Sequence, residues 1–280
     1  MVKRLKKKKP RGRGPRRGGP ALLTPNEADT MRAAGRLAGE ILDVVAEQIG
    51  VGVTTGEIDR LVDEMTRARG AVSAPYGYKN HGAPPFPGHC CTSVNDVVCH
   101  GIPDEERPLR DGDIVNVDVT PILDGFHGDS SRTFVIGEGA SPKARRLVAD
   151  TRHALWLGIR TVKPDARVGD IGHAIQSFAE PLGYAVVREF TGHGVGREFH
   201  TTPTIFHYGK PHTGDRLVPG MTFTVEPMIN LGHWSTKILD DGWTAVTSDG
   251  SLSAQWEHSL LVTEDGVEVL TLGKDETPAI

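Results

Sequence analysis

The sequence predicts an α+β fold of two related halves with acidic side chains gathered between them, and three observations carry that expectation: a carboxylate-bearing hairpin, a set of amphipathic helices and an internal repeat. The hairpin is the stretch Gly112 to Phe134, GDIVNVDVTPILDGFHGDSSRTF. Residues 113–119 alternate, with Ile114, Asn116 and Asp118 on one face and Val115, Val117 and Val119 on the other, the period-two pattern of a strand. Asp124-Gly125 is the turn. If those two residues form a type I′ loop, Asp118 pairs with Ser131 and Asp129 lies diagonally from it on the same face. Diagonal neighbours sit about 7 to 8 Å apart, so two ionised carboxylates there repel unless a cation or a shared proton lies between them. A metal site is the sharper reading and a solvated hairpin with scattered acids the blander one. The Val/Ile flanks argue against solvation.

Ahead of the hairpin the chain changes character sharply. Residues 1–20, MVKRLKKKKPRGRGPRRGGP, hold ten Lys/Arg and no acid, leaving 22 basic against 36 acidic residues, a net of −14, for the remainder. The segment has too few large apolar side chains to offset the entropy of ordering, so it is expected to be a disordered tail that contacts nucleic acid electrostatically. It lacks the apolar run of a signal peptide, and no later stretch reaches transmembrane length, so a cytoplasmic protein without membrane contact is expected. A monomer is the expected state, although no residue pattern bears on it. Cys90, Cys91 and Cys99 form no disulfide framework, which fits a reducing compartment. With 280 residues, 38% of them hydrophobic, the body can build a sizeable core over residues 21–280.

Helical signals begin at Thr24. Thr24-Pro25-Asn26-Glu27 is a capping box with proline at the first helical position, and Met31, Ala34, Leu37, Ala38, Ile41, Leu42 and Val45 follow at helical spacing. A second helix is expected over about 57–69, closed by Gly70. Residues 73–87, SAPYGYKNHGAPPFP, read as a loop holding Tyr76, Tyr78 and Phe86 as anchors or pocket walls. After the hairpin, Ser141-Pro142 caps a helix to about 161, and 169–182 forms another with Ile171, Ala174, Ile175, Phe178 and Leu182 inward.

The chain then repeats itself. Gly56-Glu57-Ile58 with Gly70 matches Gly169-Asp170-Ile171 with Gly183, and PLRDGDIVNVD matches DRLVPGMTFTVE in placing a glycine before an alternating strand that ends on an acid, Asp118 in one and Glu226 in the other. The halves are expected at about 21–136 and 141–275, with the two acids brought face to face by pseudo-twofold symmetry. The second half adds His193 and His200 in GHGVGREFH and Glu257 in SAQWEHSLLV. Asp118, Asp129, His193, Glu226 and Glu257 make a carboxylate-rich set with one histidine, suited to two divalent ions with bridging carboxylates. A structural zinc site would need Cys/His ligands and an EF-hand a single acidic loop; neither pattern occurs.

CHGIP, NVDVT, GFHGD, GHGVG, TVEP and QWEH, in this order and spacing, resemble the type 1 methionine aminopeptidases over about residues 24–272. The resemblance implies the pita-bread fold, a central antiparallel sheet with helices outside, and a dinuclear centre between the halves. It places the metal ligands on Asp118, Asp129, His193, Glu226 and Glu257, with Asp129 and Glu257 bridging, and the two catalytic histidines on His100 and His200. The implied methionine pocket falls on Tyr78, Phe86, Cys91, Phe199 and Trp243, although five extra residues within 79–85 depart from the family's loop.

Hydrolysis of the first peptide bond by a hydroxide shared between the ions then follows as the expected chemistry. Glu226 is its proton acceptor and donor, His200 the partner of the carbonyl oxygen and His100 that of the peptide nitrogen. The substrates expected are nascent chains with a small second residue, and the tail is expected to guide the enzyme to ribosomal RNA. Cobalt, manganese, iron and zinc all suit such oxygen-rich sites. Two rivals stand beside this reading: an X-Pro aminopeptidase or prolidase on the same fold, and a non-enzymatic ribosome- or RNA-binding relative.

Overall fold

A computed structural model describes residues 20, 22–80 and 82–277 of the chain. The expectations of a disordered tail and of a nucleic-acid contact rest on the segment 1–20, which apart from Pro20 lies outside the described residues.

Among the described residues four α-helices flank the strands: α1 (Pro25–Gln48), α2 (Thr55–Ala68), α3 (Pro142–Ile159) and α4 (Val168–Ala179). α1 starts as its sequence dictates. The Thr24 side chain accepts from the Glu27 backbone N–H and Glu27 Oε2 accepts from the Thr24 N–H, satisfying two donors that a helix start leaves open. α2 carries the same box on Thr54 and Glu57, which moves its start two residues ahead of the expected one. Leu182 is a correction. The chain leaves α4 at Glu180 in a 3₁₀ turn containing Pro181, so Leu182 drops out of the apolar stripe and is exposed while Ile171 and Ile175 stay buried. Proline at that position removes a helical N–H and disfavours continuation.

The strands pair antiparallel throughout the described residues. In the first half Ile114–Val119 is the middle strand between Cys91–Val94 and Ser130–Val135. Its Val115, Val117 and Val119 pack under Leu37, Ile41, Leu42 and Val45 of α1 and Ile58 and Val62 of α2. Each such buried side chain contributes roughly 1.5–3 kcal/mol, which fixes which face of the strand turns to the helices and so turns Asp118 the other way. In the second half Thr222–Val225 and His258–Val262 pair within a five-stranded sheet, and Phe223, Val225, Leu260 and Val262 pack under α3 and α4. Links between the halves include the pairing of Val97–Cys99 with Ala245–Thr247 and the bridge of Ser131 to Glu257, whose N–H donates to the Ser131 carbonyl at 3.0 Å.

The hairpin keeps its expected register, Asp118 opposite Ser131 and Leu123 opposite Phe126, around a turn in which Asp124 and Gly125 both have positive φ (+50° and +78°). It is broken in the middle. The pairing stops at Val119–Ser130 and resumes at Ile122–His127, leaving Thr120 and Asp129 facing each other outside the ladder. There the Thr120 hydroxyl donates to Asp129 Oδ1 at 2.7 Å. Glu257 lies in a similar interruption, between Ser253–Gln255 and His258–Val262.

Candidate metal centre and adjoining pocket

Asp118 comes from the face of its strand opposite the α1/α2 core, Asp129 from the break in the hairpin, Glu257 from the break on the other half, and Glu226 from the residue directly after Thr222–Val225. His193 sits in the short strand Gly192–Gly194 that pairs with Thr222–Val225 and with Thr201–Ile205. One donor atom each from Asp129, His193 and Glu257 lies within 4.8 Å of the others. His193 Nε2 is 3.5 Å from Asp129 Oδ2 and 3.5 Å from Glu226 Oε1, while its Nδ1 faces the Gly194 carbonyl at 3.2 Å. That second contact assigns the proton to Nδ1 and leaves Nε2 bare, the state in which imidazole can ligate a metal.

The electrostatics of these acids call for cations. Burial raises the carboxyls of Asp118, Glu226 and Glu257 well above the ordinary range, and the neighbouring acids, Asp129 foremost, raise them further. Asp129 is pushed up by burial to about 6 against the opposing pull of the Thr120 hydrogen bond and of His127. Asp118 Oδ1 is buried with no hydrogen-bond partner, and among the described residues no Lys or Arg lines the cavity into which these groups open. Four acids held together without a basic partner, one with an unsatisfied oxygen, fit divalent metal ions; a stable cluster of unpaired buried charges does not.

All twelve residues singled out in the sequence line one cavity of about 380 Å³: Tyr78, Phe86, Cys91, His100, Asp118, Asp129, His193, Phe199, His200, Glu226, Trp243 and Glu257. Phe86, Cys91 and Trp243 form a small buried apolar cluster flanked by Tyr78 and Ile102. Cys91 is the direct strand partner of Asp118, so the apolar pocket opens on the acids within one residue pair. Beside this wall, backbone bonds run from Gly77 N–H to Phe86 O (2.8 Å) and from Phe86 N–H to Tyr78 O (2.9 Å). The loop also reaches across to Trp243, whose Nε1 donates to the Pro84 carbonyl at 2.8 Å.

His100 and His200 both have positive φ, +57° and +60°, an uncommon conformation for a side-chain-bearing residue that clusters at functional sites. Burial pushes His100 down to about 4, with the nearby His193 adding to it, so its ring is neutral near pH 7. His200 is lowered by desolvation and by His193, His100 and His127 in turn, and its Nδ1 meets the Tyr78 hydroxyl at 2.8 Å.

Several supporting residues were not foreseen. Glu226 Oε1 accepts from the Thr224 hydroxyl at 2.7 Å and Oε2 from Gln255 Nε2 at 3.2 Å, while its backbone N–H donates to the buried His207 Nε2 at 3.0 Å. Thr224 lies two residues before Glu226 and so on the same face of a strand, a signal the period-two pattern held; His207 and Gln255 reach Glu226 from distant segments and leave no local signal. Glu189, Phe190 and Met228 also line the cavity.

The model of metallopeptidase family M24 matches residues 29–264. Methionine aminopeptidase A of Synechocystis sp. is 56% identical over 253 residues, 90% of this chain and 98% of that protein. The crystal structure of methionine aminopeptidase from Rickettsia prowazekii superposes with a TM-score of 0.87 at 48% identity, covering 91% of this chain and all of that one (100%). The prolidase from Pyrococcus horikoshii shares the fold, with a TM-score of 0.70, but at 19% identity and over only 64% of its own length.

Proposed function

The chain belongs to metallopeptidase family M24, among its methionine aminopeptidases, and from that premise we propose that it removes the initiator methionine from newly made proteins whose second residue is small. The observation that carries this is the direct opening of the Phe86–Cys91–Trp243 pocket onto the acids through the Cys91–Asp118 pair. An aromatic, sulfur-containing wall suits the unbranched, polarisable methionine side chain. Two divalent ions held by Asp118, Asp129, His193, Glu226 and Glu257 would supply a nucleophilic water at neutral pH, polarise the scissile carbonyl and take the free α-amine. Cobalt, manganese, iron or zinc would serve.

The protein's own groups do the rest. Glu226, fixed through both oxygens by Thr224 and Gln255, is placed to take the proton of the attacking water and pass it to the departing amine. His200 donates to the carbonyl oxygen as charge develops there, and the neutral His100 ring hydrogen-bonds the peptide nitrogen. The acids and the two histidines crowd the far side of the scissile bond, which restricts the second residue to small side chains. The test is direct: metal-loaded protein is expected to bind two equivalents of ion and to release methionine from Met-Ala-Ser while leaving X-Pro dipeptides intact. Cleavage of X-Pro substrates with Met-Ala-Ser untouched would move the chain to the prolidase branch, and failure on both would leave the non-enzymatic reading.

We further propose that this takes place in the cytoplasm, on a monomer that the ten positive charges of residues 1–20 bring to ribosomal RNA. Among the described residues no helix is long and apolar enough to cross a membrane. Deleting residues 1–20 is expected to weaken co-sedimentation with ribosomes and to leave peptide turnover unchanged; equal co-sedimentation of both forms would refute the contact.

A further inference from the structure

The His200 ring is held on three sides. Phe199 stacks on it with ring centroids 3.7 Å apart, His193 meets it at 4.4 Å, and the Tyr78 hydroxyl lies 2.8 Å from its Nδ1. The backbone and the stacking fix where the ring lies, but of these contacts only the one with Tyr78 distinguishes its two nitrogens. A neutral imidazole that donates to a carbonyl oxygen from Nε2 has no proton on Nδ1, and a bare Nδ1 next to a second acceptor would be repelled. A phenol hydroxyl donates more strongly than it accepts, and burial raises the pKa of Tyr78 above its ordinary value, which keeps it protonated and able to donate. Tyr78 is itself well anchored, its N–H donating to the Pro75 carbonyl at 2.9 Å and its carbonyl accepting from Phe86 N–H at 2.9 Å.

We propose that Tyr78 is a positioning residue: by donating its hydroxyl hydrogen to Nδ1 it locks His200 in the tautomer that carries its proton on Nε2, the nitrogen left to face the substrate. This gives Tyr78 a role in the chemical step beyond that of a pocket wall. It rests on the proposed function only in assigning the carbonyl oxygen as the partner of His200.

The contact is tested on protein loaded with diamagnetic zinc, using long-range ¹H–¹⁵N spectra of the histidine rings with His200 assigned by comparison with His200→Gln. The wild type is expected to show His200 protonated on Nε2, and Tyr78→Phe to show the Nδ1-protonated form appearing. In turnover of Met-Ala-Ser, Tyr78→Phe is expected to lower kcat about tenfold, the scale of one lost hydrogen bond, with KM changing less than about twofold. A wild-type His200 protonated on Nδ1 overturns the proposal without reference to any variant. So does a Tyr78→Phe protein with an unchanged tautomer whose loss lies in KM, the outcome for a residue that only lines the pocket. Because the spectra need no turnover, a wild type that fails to cleave Met-Ala-Ser counts against the proposed function and leaves the tautomer result to decide this one.

Discussion

Asp129 is gripped by Thr120 through Oδ1 and faces His193 with Oδ2. Asparagine in its place keeps the first contact, since an amide oxygen accepts as a carboxylate oxygen does, while it removes the charge and turns the second oxygen into an amide NH2 that cannot ligate a cation. Asp129→Asn is therefore expected to fold, to bind fewer than two ions and to lose nearly all turnover, as metal analysis after gel filtration and a metal-limited assay will show. The same charge argument predicts the response to chelation. Stripping metal from the wild type leaves the acids uncompensated, so its Tm should fall, and Asp129→Asn should respond less; equal shifts would mean that the acids need no cation. His200→Ala should instead keep both ions and lower kcat by a factor on the order of a hundred, the usual cost of one lost oxyanion donor. Loss of metal in that variant would make His200 a ligand. At this scale the acids were legible because Asp118 and Glu226 end strands whose alternation can be read by eye. His207 and Gln255 were not, because each reaches Glu226 across 19 and 29 residues respectively.

The hairpin shows what a single element can and cannot reveal. Its register follows from Asp124-Gly125, two residues whose positive φ matches the twist of the flanking strands, and the expected pairing of Asp118 with Ser131 is the one found. The break that frees Thr120 and Asp129 left no signal within the hairpin, and the chain beside it runs against another element. Gly128 runs so close to α1 that a Cβ there would lie 2.1 Å from the Ala34 carbonyl oxygen. Gly128→Ala must push the hairpin off the helix and carry its neighbour Asp129 with it. The expected result is a loss of about 1–3 kcal/mol or more, the cost of overpacking, together with weakened metal binding. Thermal melts and metal titration check it, and a variant with wild-type values in both would show that α1 yields freely. The missed position of Leu182 has the opposite origin: its apolar phase continues that of Ile171, Ile175 and Phe178, but Pro181 was present in the sequence to end the helix.

Over the whole molecule, the duplicated pattern foretold that acids from two segments would meet, yet nothing foretold the strap that ties those segments together behind the site. Residues 273–276, GKDE, carry no motif or apolar periodicity. In the structure the Lys274 N–H donates to Asp43 Oδ2 of α1 at 2.7 Å, and Glu276 Oε1 lies 3.0 Å from Arg152 Nη2 of α3 and 3.4 Å from His258 Nε2, while Arg132 Nη1 binds Asp43 Oδ1 at 2.7 Å. Helix, strand and strap from both ends of the chain thus converge on one nearly buried carboxylate. Burial by itself would raise the Glu276 carboxyl, but the adjacent His258, with Arg132 and Arg152, outweighs it and holds it down at about 2. Unfolded glutamate titrates near 4.3, so the folded state binds this proton less readily than the unfolded one. The stabilisation is full above that value and is lost as pH falls from about 5 through 2. Glu276→Gln should therefore melt at least about 5 °C below the wild type at pH 7, the scale of a broken buried ion pair, and the gap should narrow by pH 3. A gap of the same size at both pH values would show that Glu276 acts by shape, and that the strap holds the two segments together without its charge.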